Sequence, residues 1–221
     1  QFQSEEEIRN YPVNLDGNNN RTLLPGDFIY KDVNGDGIIN GMDERPIGYP
    51  EGWAPIMSFG GNIGLAWKGI DLNIDLSGGA MQGWRQNYEL ANAYHGNGNS
   101  PVYLLEDRWH RADLYDPESE WIPGRYPAIR KGEFSYNNKN SDFWLHNVRY
   151  LRIKNLEVGY SLPAQLLRPI RAQKVRVYAN VSNLCSFDNV GKFGVDPEIT
   201  AAAAVVYPQQ RTFLLGFNIT Y

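Results

Sequence analysis

The stretch of sequence that decides the fold is Arg211-Thr-Phe-Leu-Leu-Gly-Phe-Asn-Ile-Thr-Tyr221. Large apolar side chains recur in it at every second position, at Phe213, Leu215, Phe217, Ile219 and Tyr221. Because neighbouring side chains of a strand point to opposite faces, this period of two predicts a β-strand. Its length fits the roughly 9–11 residues that a tilted strand needs to cross a bilayer, and an aromatic at its end is typical of the girdle of a membrane barrel. A soluble sandwich can also contain such a strand, so the rest of the sequence has to decide.

The composition favours an all-β protein with long loops. The 221 residues include 14 Tyr, 9 Phe and 6 Trp, together with 22 Gly and 13 Pro that favour turns. A net charge of −4 gives no electrostatic basis for binding nucleic acid. A mean hydropathy of −0.49 argues against a helical membrane protein, and the chain has no apolar run of about 18 residues. Neither observation excludes a membrane barrel, because half of each barrel strand faces a polar interior.

The cysteine content and the first residue add two constraints. Cys185 is the single cysteine, which excludes an intrachain disulfide and any metal site built from several cysteines. The sequence starts at Gln1, without Met and without the apolar segment of a signal peptide. We therefore expect a processed or truncated product.

The same alternation predicts four further strands. They cover residues 57–67, 70–79, 149–161 and 174–184, in addition to the strand over 211–221. Lys68 and Gly69 alone separate the first two, a spacing typical of a β-hairpin. The apolar positions change parity at Lys154-Asn155, which predicts a β-bulge.

The loops between these strands alternate in length. Long loops cover residues 1–56, 80–148 and 185–210, whereas the connections at 68–69 and 161–173 are shorter. Outer-membrane barrels have this layout, with long extracellular loops and short periplasmic turns, and it would place the C-terminus in the periplasm. Five strands cannot close such a barrel, because the smallest single-chain bacterial barrels have about eight and open edges are costly in lipid. We expect part of a transmembrane β-barrel, incomplete in this chain, with a soluble antiparallel sandwich as the alternative.

The alternation also assigns the two faces of the strands. The polar positions that we expect to face the barrel lumen are Asp71, Asn73, Asp75, Arg176, Tyr178 and Asn180. The apolar positions that we expect to face lipid are Ile70, Leu72, Val175, Val177 and Phe213.

One loop matches the template of a calcium-binding loop. It runs Asp32-Val-Asn-Gly-Asp-Gly-Ile-Ile-Asn-Gly-Met-Asp43, with Gly37 at the sharp turn. The candidate ligands are the side chains of Asp32, Asn34, Asp36, Asn40 and Asp43 and the main-chain carbonyl of Ile38. The template has Glu at the last position, which reaches farther than Asp43. The alternative is a turn whose side chains cap their own backbone, and with either interpretation the role is structural.

No pattern of catalytic residues stands out. His95, His110 and His146 do not form an HExxH motif, and the sequence contains no nucleophile elbow, phosphate-binding loop or dinucleotide fingerprint. The acids of the long loop that could supply a carboxylate pair for glycoside hydrolysis are Glu106, Asp107, Asp113, Asp116, Glu118 and Glu120. Acids in a solvated loop are ordinary, and we expect no enzymatic activity.

The long central loop and its approach are crowded with aromatic residues. They are Trp84, Tyr88, Tyr94, Tyr103, Trp109, Tyr115, Trp121, Tyr126, Phe134, Tyr136, Phe143 and Trp144. These rings could stack on sugar or peptide ligands, pack a small core of the loop itself, or bury against a partner protein, and the sequence does not choose between these roles.

Six stretches, in order along the chain, resemble the C-terminal part of a known family. They are Pro25-Gly-Asp-Phe-Ile-Tyr-Lys-Asp-Val-Asn-Gly-Asp-Gly-Ile-Ile39, Phe59-Gly-Gly-Asn-Ile-Gly-Leu-Ala-Trp-Lys-Gly-Ile-Asp-Leu72, residues 143–163, Val175-Arg-Val-Tyr-Ala-Asn-Val-Ser-Asn-Leu184, Asp196-Pro-Glu198 and Tyr207-Pro-Gln-Gln-Arg-Thr-Phe213. This ordered set resembles the SusC/RagA family of TonB-dependent outer-membrane transporters.

The resemblance implies a 22-stranded barrel with an N-terminal plug, which imports glycans or peptides with energy relayed by TonB. The plug and the TonB-contacting segment belong to the N-terminal part of the family pattern, and the resemblance implies that both lie outside this chain. The expected partners are the rest of the same transporter, a SusD-like surface lipoprotein that lids the barrel, TonB through the absent part, and outer-membrane lipid. The family has no enzymatic activity, and the implied location is the outer membrane.

Two other functions remain open from the residues alone. A secreted, calcium-stabilised carbohydrate-binding sandwich would use the Asp32–Asp43 loop and the aromatic surface. A glycosidase fragment is the third and weakest hypothesis, because it rests on scattered loop acids.

Overall fold

The computed structural model describes residues 1–52, 54–130, 134–198 and 209–221. These residues belong to two compact units. The first unit comprises Gln1–Gly48 and Arg85–Leu145, and the second comprises Tyr49–Trp84 with residues 146–198 and 209–221. Within the described residues, no helix is long and apolar enough to cross a membrane.

Seven strands and three short α-helices appear in the described part of the chain. The strands are β1 (Met57–Trp67), β2 (Ile70–Arg85), β3 (His110–Arg111), β4 (Trp121–Ile122), β5 (Leu145–Ser161), β6 (Lys174–Asp188) and β7 (Thr212–Thr220). The helices are α1 (Glu5–Asn10), α2 (Val102–Glu106) and α3 (Ala164–Leu167). Short 3-10 turns lie at Gly41–Asp43, Tyr88–Leu90, His95–Asn97, Ser135–Asn138, Arg168–Ile170 and Gly191–Phe193.

The second unit is built on a five-stranded sheet in the order β1-β2-β5-β6-β7. The pairs β1–β2, β5–β6 and β6–β7 are antiparallel, as the alternating pattern predicts. Lys68 and Gly69 form the tight hairpin turn with φ of 48° and 85°, the left-handed conformation that two-residue hairpin loops require. The predicted bulge is confirmed, because the register of β5 against β6 shifts between Ile153 and Asn155.

Three of the five predicted strands are longer than the pattern indicated. β2 continues beyond residue 79 to Arg85, β5 begins at Leu145, and β6 continues beyond residue 184 to Asp188. Gly78 and Gly79 lie inside β2, within the predicted strand 70–79, and other side chains pack on them. A Cβ atom at Gly78 would stand 2.2 Å from the Phe59 ring, and one at Gly79 would stand 2.7 Å from Pro55 Cγ.

The sheet leaves most of its apolar side chains uncovered. Every residue of β1 is exposed, and β7 is exposed except at Gly216. Ile70, Val177 and Phe213 are exposed as well, in agreement with their predicted outward face. The expectation for Val175 is wrong, because its side chain is buried. α3 packs on β6, and in the turn after β5 Leu162 N–H donates to the Val175 carbonyl at 2.9 Å.

The first unit has a compact core of its own, and the predicted loops 1–56 and 80–148 are therefore ordered over much of their length. One cluster joins Phe2, Ile8, Leu15, Leu23 and Tyr136, and a second joins Phe28, Leu104, Tyr126 and Trp144. Each cluster draws residues from both ends of the unit, so the two segments fold together.

Polar contacts hold the same two segments. Asp27 is fully buried and forms an ion pair with Arg130. Its carboxylate also accepts hydrogen bonds from Leu24 N–H and Asn137 Nδ2, both at 2.8 Å. A buried carboxylate is tolerated when it is paired and hydrogen-bonded in this way.

Candidate functional site

One face of the five-stranded sheet carries a continuous network of polar side chains. Arg176 on β6 forms ion pairs with Asp71 on β2 and with Glu157 on β5, the latter at 2.7 Å. Asn180 Nδ2 donates to Asn155 Oδ1 at 2.8 Å. Arg176 therefore ties three strands together through charge-assisted hydrogen bonds, the stronger class of such bonds.

The network extends to the edge strand β1. Asn62 Nδ2 donates to Asn73 Oδ1 at 2.8 Å and to Asp75 Oδ1 at 2.7 Å. Asn155 Nδ2 approaches Asp75 Oδ2 at 3.4 Å. The network holds three carboxylates, of Asp71, Asp75 and Glu157, against the single guanidinium of Arg176, so its formal charge is −2.

This network brings together most of the residues predicted to face the lumen. Tyr178 lies on the same face and packs over Gly216 of β7, where an added Cβ would stand 2.5 Å from the ring. Sequence reasoning missed Asn62, Asn155 and Glu157. The alternation of β1 and the parity change at the bulge were the signals that could have identified them, once each strand was paired with its neighbour.

A segment that we call the strap, residues 188–198, lies over the polar face. Its carboxylates reach the buried Arg152 of β5: Asp196 Oδ2 at 2.7 Å and Glu198 Oε2 at 2.9 Å. Glu198 also accepts from Lys154 Nζ at 2.6 Å and from Ser77 Oγ at 3.0 Å. Burial raises the pKa of Glu198, but the bonds from Lys154 and Ser77 and the charge of Arg152 outweigh it, and the pKa is lowered from 4.5.

Apolar packing holds the part of the strap that precedes Asp196. Val190, Phe193 and Val195 are buried. The Phe193 ring lies 5.7 Å from the ring of Trp84 and 4.7 Å from that of His146. The predicted loop 185–210 is therefore ordered through residue 198, and residues 199–208 lie outside the described part of the chain.

The predicted calcium loop is a set of side chains that bond to their own backbone. Asp32 accepts from Gly35 N–H at 2.6 Å and from Gly37 N–H at 2.8 Å. Asp43 accepts from Val33 N–H and Asn40 N–H, both at 2.9 Å, and the bond from Asn40 is the largest cause that lowers its pKa. Gly37 has the left-handed φ of 79° that the sharp turn needs.

These hydrogen bonds are the ones expected for the alternative interpretation, a turn whose side chains cap their own backbone. Among the described residues, no three His, Cys, Asp or Glu side chains are grouped so that they could hold a metal. A carboxylate oxygen that accepts one hydrogen bond keeps a second lone pair, so the donor set Asp32, Asn34, Asp36, Ile38, Asn40 and Asp43 retains the chemistry for Ca²⁺. Calcium binding stays a prediction.

The three histidines lie in unrelated surroundings. His146 stacks on Trp84 at 5.5 Å between ring centroids, and His95 lies 5.4 Å from Tyr88. His110 Nδ1 lies 2.9 Å from the Arg108 carbonyl oxygen. Of the loop acids, Asp107 accepts from Arg125 N–H at 3.0 Å, a backbone-positioning contact.

Many of the central aromatic rings are buried in the first unit. Trp109, Tyr126, Tyr136 and Trp144 are buried, and burial raises the pKa of the Tyr126 and Tyr136 hydroxyls. Tyr126, Tyr136 and Trp144 pack a core, as in the second of the three predicted roles, but residues 2–28 share this core with the central loop. Tyr115 differs, because 97% of its surface is exposed.

Sequence comparison identifies relatives among known proteins. No protein-family model matches the chain. The chain is 27% identical over 210 residues to the TonB-dependent receptor P3 of Formosa agariphila, covering 89% of the chain and 19% of that receptor. It is 34% identical over 99 residues to the TonB-dependent receptor SusC of Bacteroides thetaiotaomicron, covering 42% of the chain and 9% of SusC.

Structural comparison gives a more distant match. The RagAB peptide importer in its open-open state aligns with 74% of the chain and 17% of its own length, with a TM-score of 0.49 and 23% identity. The chain spans about a fifth of the length of the Formosa receptors that it matches.

Proposed function

Because this chain is homologous to TonB-dependent receptors of the SusC/RagA family, we propose that it forms C-terminal strands and surface loops of an outer-membrane nutrient importer. The observation that carries the proposal is the match to TonB-dependent receptor P3 over 89% of the chain. The family is non-enzymatic, which confirms the expectation that the chain is not an enzyme.

The exposed apolar face supports a lipid environment for the sheet. Val177, Phe213 and Phe217 point away from the polar network on a surface that the second unit leaves uncovered. Apolar side chains facing outward and polar side chains facing inward are the pattern of a transmembrane barrel strand. The remaining strands, the plug and the TonB contact come from the rest of the transporter, in a barrel that the family resemblance gives as 22-stranded.

The cargo that we propose is a glycan or a peptide, taken up with energy from TonB and under a SusD-like lipoprotein lid. The polar network offers carboxylates, amides and one guanidinium, the groups that hydrogen-bond sugar hydroxyls and peptide amides alike. Ca²⁺ held by the Asp32–Asp43 loop would stabilise the surface loops without taking part in transport.

Uptake by the full-length receptor tests the proposal. Cells that carry the intact receptor and its lipoprotein should accumulate at least one labelled oligosaccharide or oligopeptide, and deletion of either gene or of TonB should abolish accumulation. The opposite result would be a receptor gene product that is secreted and stays soluble without detergent, which is what the carbohydrate-binding alternative requires.

A second measurement tests calcium alone. Chelation should increase hydrogen exchange in residues 32–43 of the intact receptor, and Asp32→Asn with Asp36→Asn should remove that response. If chelation changes nothing in the unsubstituted protein, the loop is a backbone-capped turn only.

A further inference from the structure

Two neighbouring apolar side chains of the first unit are exposed at the end of one hairpin. The hairpin is β3–β4, and we call its end, residues 112–120, the hairpin tip. Leu114 is 72% exposed and Tyr115 is 97% exposed. Exposed apolar residues on a well-ordered surface are candidates for protein contact, and Tyr is enriched among the residues that dominate binding energy.

Hydrogen bonds fix the backbone beneath this pair. The Asp113 carboxylate accepts from Tyr115 N–H, and the Asp116 carboxylate accepts from Glu118 N–H, both at 2.9 Å. Ser119 Oγ lies 3.0 Å from the Asp113 carbonyl oxygen and 2.8 Å from that of Asp116. A preformed loop loses little conformational entropy on binding, which favours affinity.

The base of the hairpin is anchored without Leu114 or Tyr115. Arg111 donates to the Ser119 carbonyl at 2.5 Å and forms an ion pair with Glu5 at 2.7 Å. Trp121 Nε1 donates to Glu5 at 3.2 Å, and the Arg111 guanidinium lies 4.5 Å from the centroid of the Trp121 ring. Truncation of the apolar pair should therefore leave the hairpin folded.

The charged side chains within the hairpin tip are all acidic. Asp113, Asp116, Glu118 and Glu120 lie in the hairpin tip, and residues 112–120 contain no Lys or Arg. All four acids are exposed. Such a rim repels anionic lipid headgroups and is complementary to a basic rim on a protein. A protruding tip also lacks the concave shape with which proteins bind small ligands.

We propose that the hairpin tip docks into a protein partner on the cell surface. The partner offers an apolar pocket for Leu114 and Tyr115 and a rim of Lys or Arg for the four acids. The inference rests on the proposed function, since that function places the long loops outside the cell.

Photo-crosslinking in living cells tests the docking. The photoreactive residue replaces Tyr115 in the full-length receptor, and in the control it replaces Val102, which is also exposed in the first unit. The expected result is one protein adduct from position 115, with the crosslink at an apolar surface flanked by Lys or Arg, weakened by raised salt and missing from position 102. An adduct with lipid or glycan only, an equal adduct from position 102, or no adduct would overturn the proposal.

Binding measurements between the purified receptor and the captured protein then distinguish the contribution of the apolar pair from that of the acidic residues. Leu114→Ser with Tyr115→Ser should lower affinity about 30-fold, with an unchanged melting temperature. Glu118→Gln with Glu120→Gln should slow association several-fold at low salt and change dissociation little. Val102→Ser should alter neither rate. If the apolar variant binds as tightly as the unsubstituted receptor, the proposal is wrong.

Failure of the proposed function can be distinguished from failure of the docking inference. A receptor missing from the outer membrane would contradict the proposed function, whereas a receptor that imports cargo but forms no adduct at position 115 would contradict the docking inference alone.

Discussion

In the first unit, large apolar side chains such as Phe28, Tyr126 and Trp144 lie inside the fold, whereas in the second unit Val177, Phe213 and Phe217 lie exposed on the sheet. The first unit keeps its charged groups on the surface or, like Asp27, buried with a partner. The second unit instead gathers Arg176, Asp71 and Glu157 on one face of the sheet. The same residue types thus occupy opposite positions, which indicates two different surroundings: water around the first unit and, as we propose, lipid around the outer face of the second.

The largest expected effect concerns the first unit, which we expect water to surround. Asp27→Ala leaves Arg130 without its buried partner, and loss of one member of a buried ion pair costs about 3–5 kcal/mol. Hydrogen exchange of the intact receptor should show faster exchange in residues 2–28 and 134–144. Glu6→Ala removes an exposed acid and should leave exchange unchanged. Equal protection in both variants would show that the first unit does not depend on this pair.

The next effect concerns the outer face of the sheet in the second unit, which we propose contacts lipid. Val177→Arg places a charge on the outer face, which should cost about 2–4 kcal/mol near the middle of the membrane. Outer-membrane assembly, followed by heat-modifiable electrophoretic mobility, should fall. Val102→Arg makes the same change at an exposed position of the first unit and should assemble normally. Normal assembly of the Val177 variant would show that this face does not meet lipid.

A smaller effect tests how tightly the sheet is packed at the extended end of β2. Gly78→Ala brings a Cβ atom against the Phe59 ring and 2.8 Å from the Tyr150 carbonyl oxygen, so we expect a loss of about 1–3 kcal/mol in stability. Gly61→Ala has open space around the new atom and should be nearly neutral. Melting temperatures of the detergent-solubilised receptor would compare them, and equal values would argue against the continuous β2 strand.

The smallest effect is the pH dependence of the strap. The pKa of Glu198 is lowered in the folded protein, so its contribution to stability is fully present above its ordinary pKa of 4.5 and is lost as the pH falls through the lower folded value. A spin label on Lys192→Cys, in a receptor with Cys185→Ser, should become more mobile only below pH 4.5. Glu198→Gln should make the label mobile at neutral pH as well. A label whose mobility never changes would show that the apolar contacts alone hold the strap.

Sequence periodicity was enough to predict the five strands of the sheet, the Lys68–Gly69 turn and the bulge at Lys154-Asn155. It ended β2 at residue 79 instead of at Arg85, because the alternation of apolar residues stops at Gly78 although the strand continues. It also failed at Val175, because the alternation does not reveal which outward position is buried.

The candidate site was only partly accessible from the sequence. Parity alone placed Asp71, Asp75, Arg176 and Asn180 on one face. The partners Asn62 and Glu157 depended on strand register, and the approach of Asp196 and Glu198 to Arg152 depended on a distant segment that carries no periodic signal. The aromatic residues of the central loop gave no hint of which rings are buried, since burial there follows from contacts with residues 2–28.

The central claim is that β6 has one face toward lipid and one toward a wet interior. Single spin labels at residues 176–181 of the full-length receptor, with Cys185→Ser, can be measured in lipid bilayers for collision with oxygen and with a water-soluble nickel complex. The account predicts strict alternation, with labels at 177, 179 and 181 reached by oxygen and labels at 176, 178 and 180 reached by nickel. Labels at 177, 179 and 181 that are reached equally by the nickel complex would contradict it.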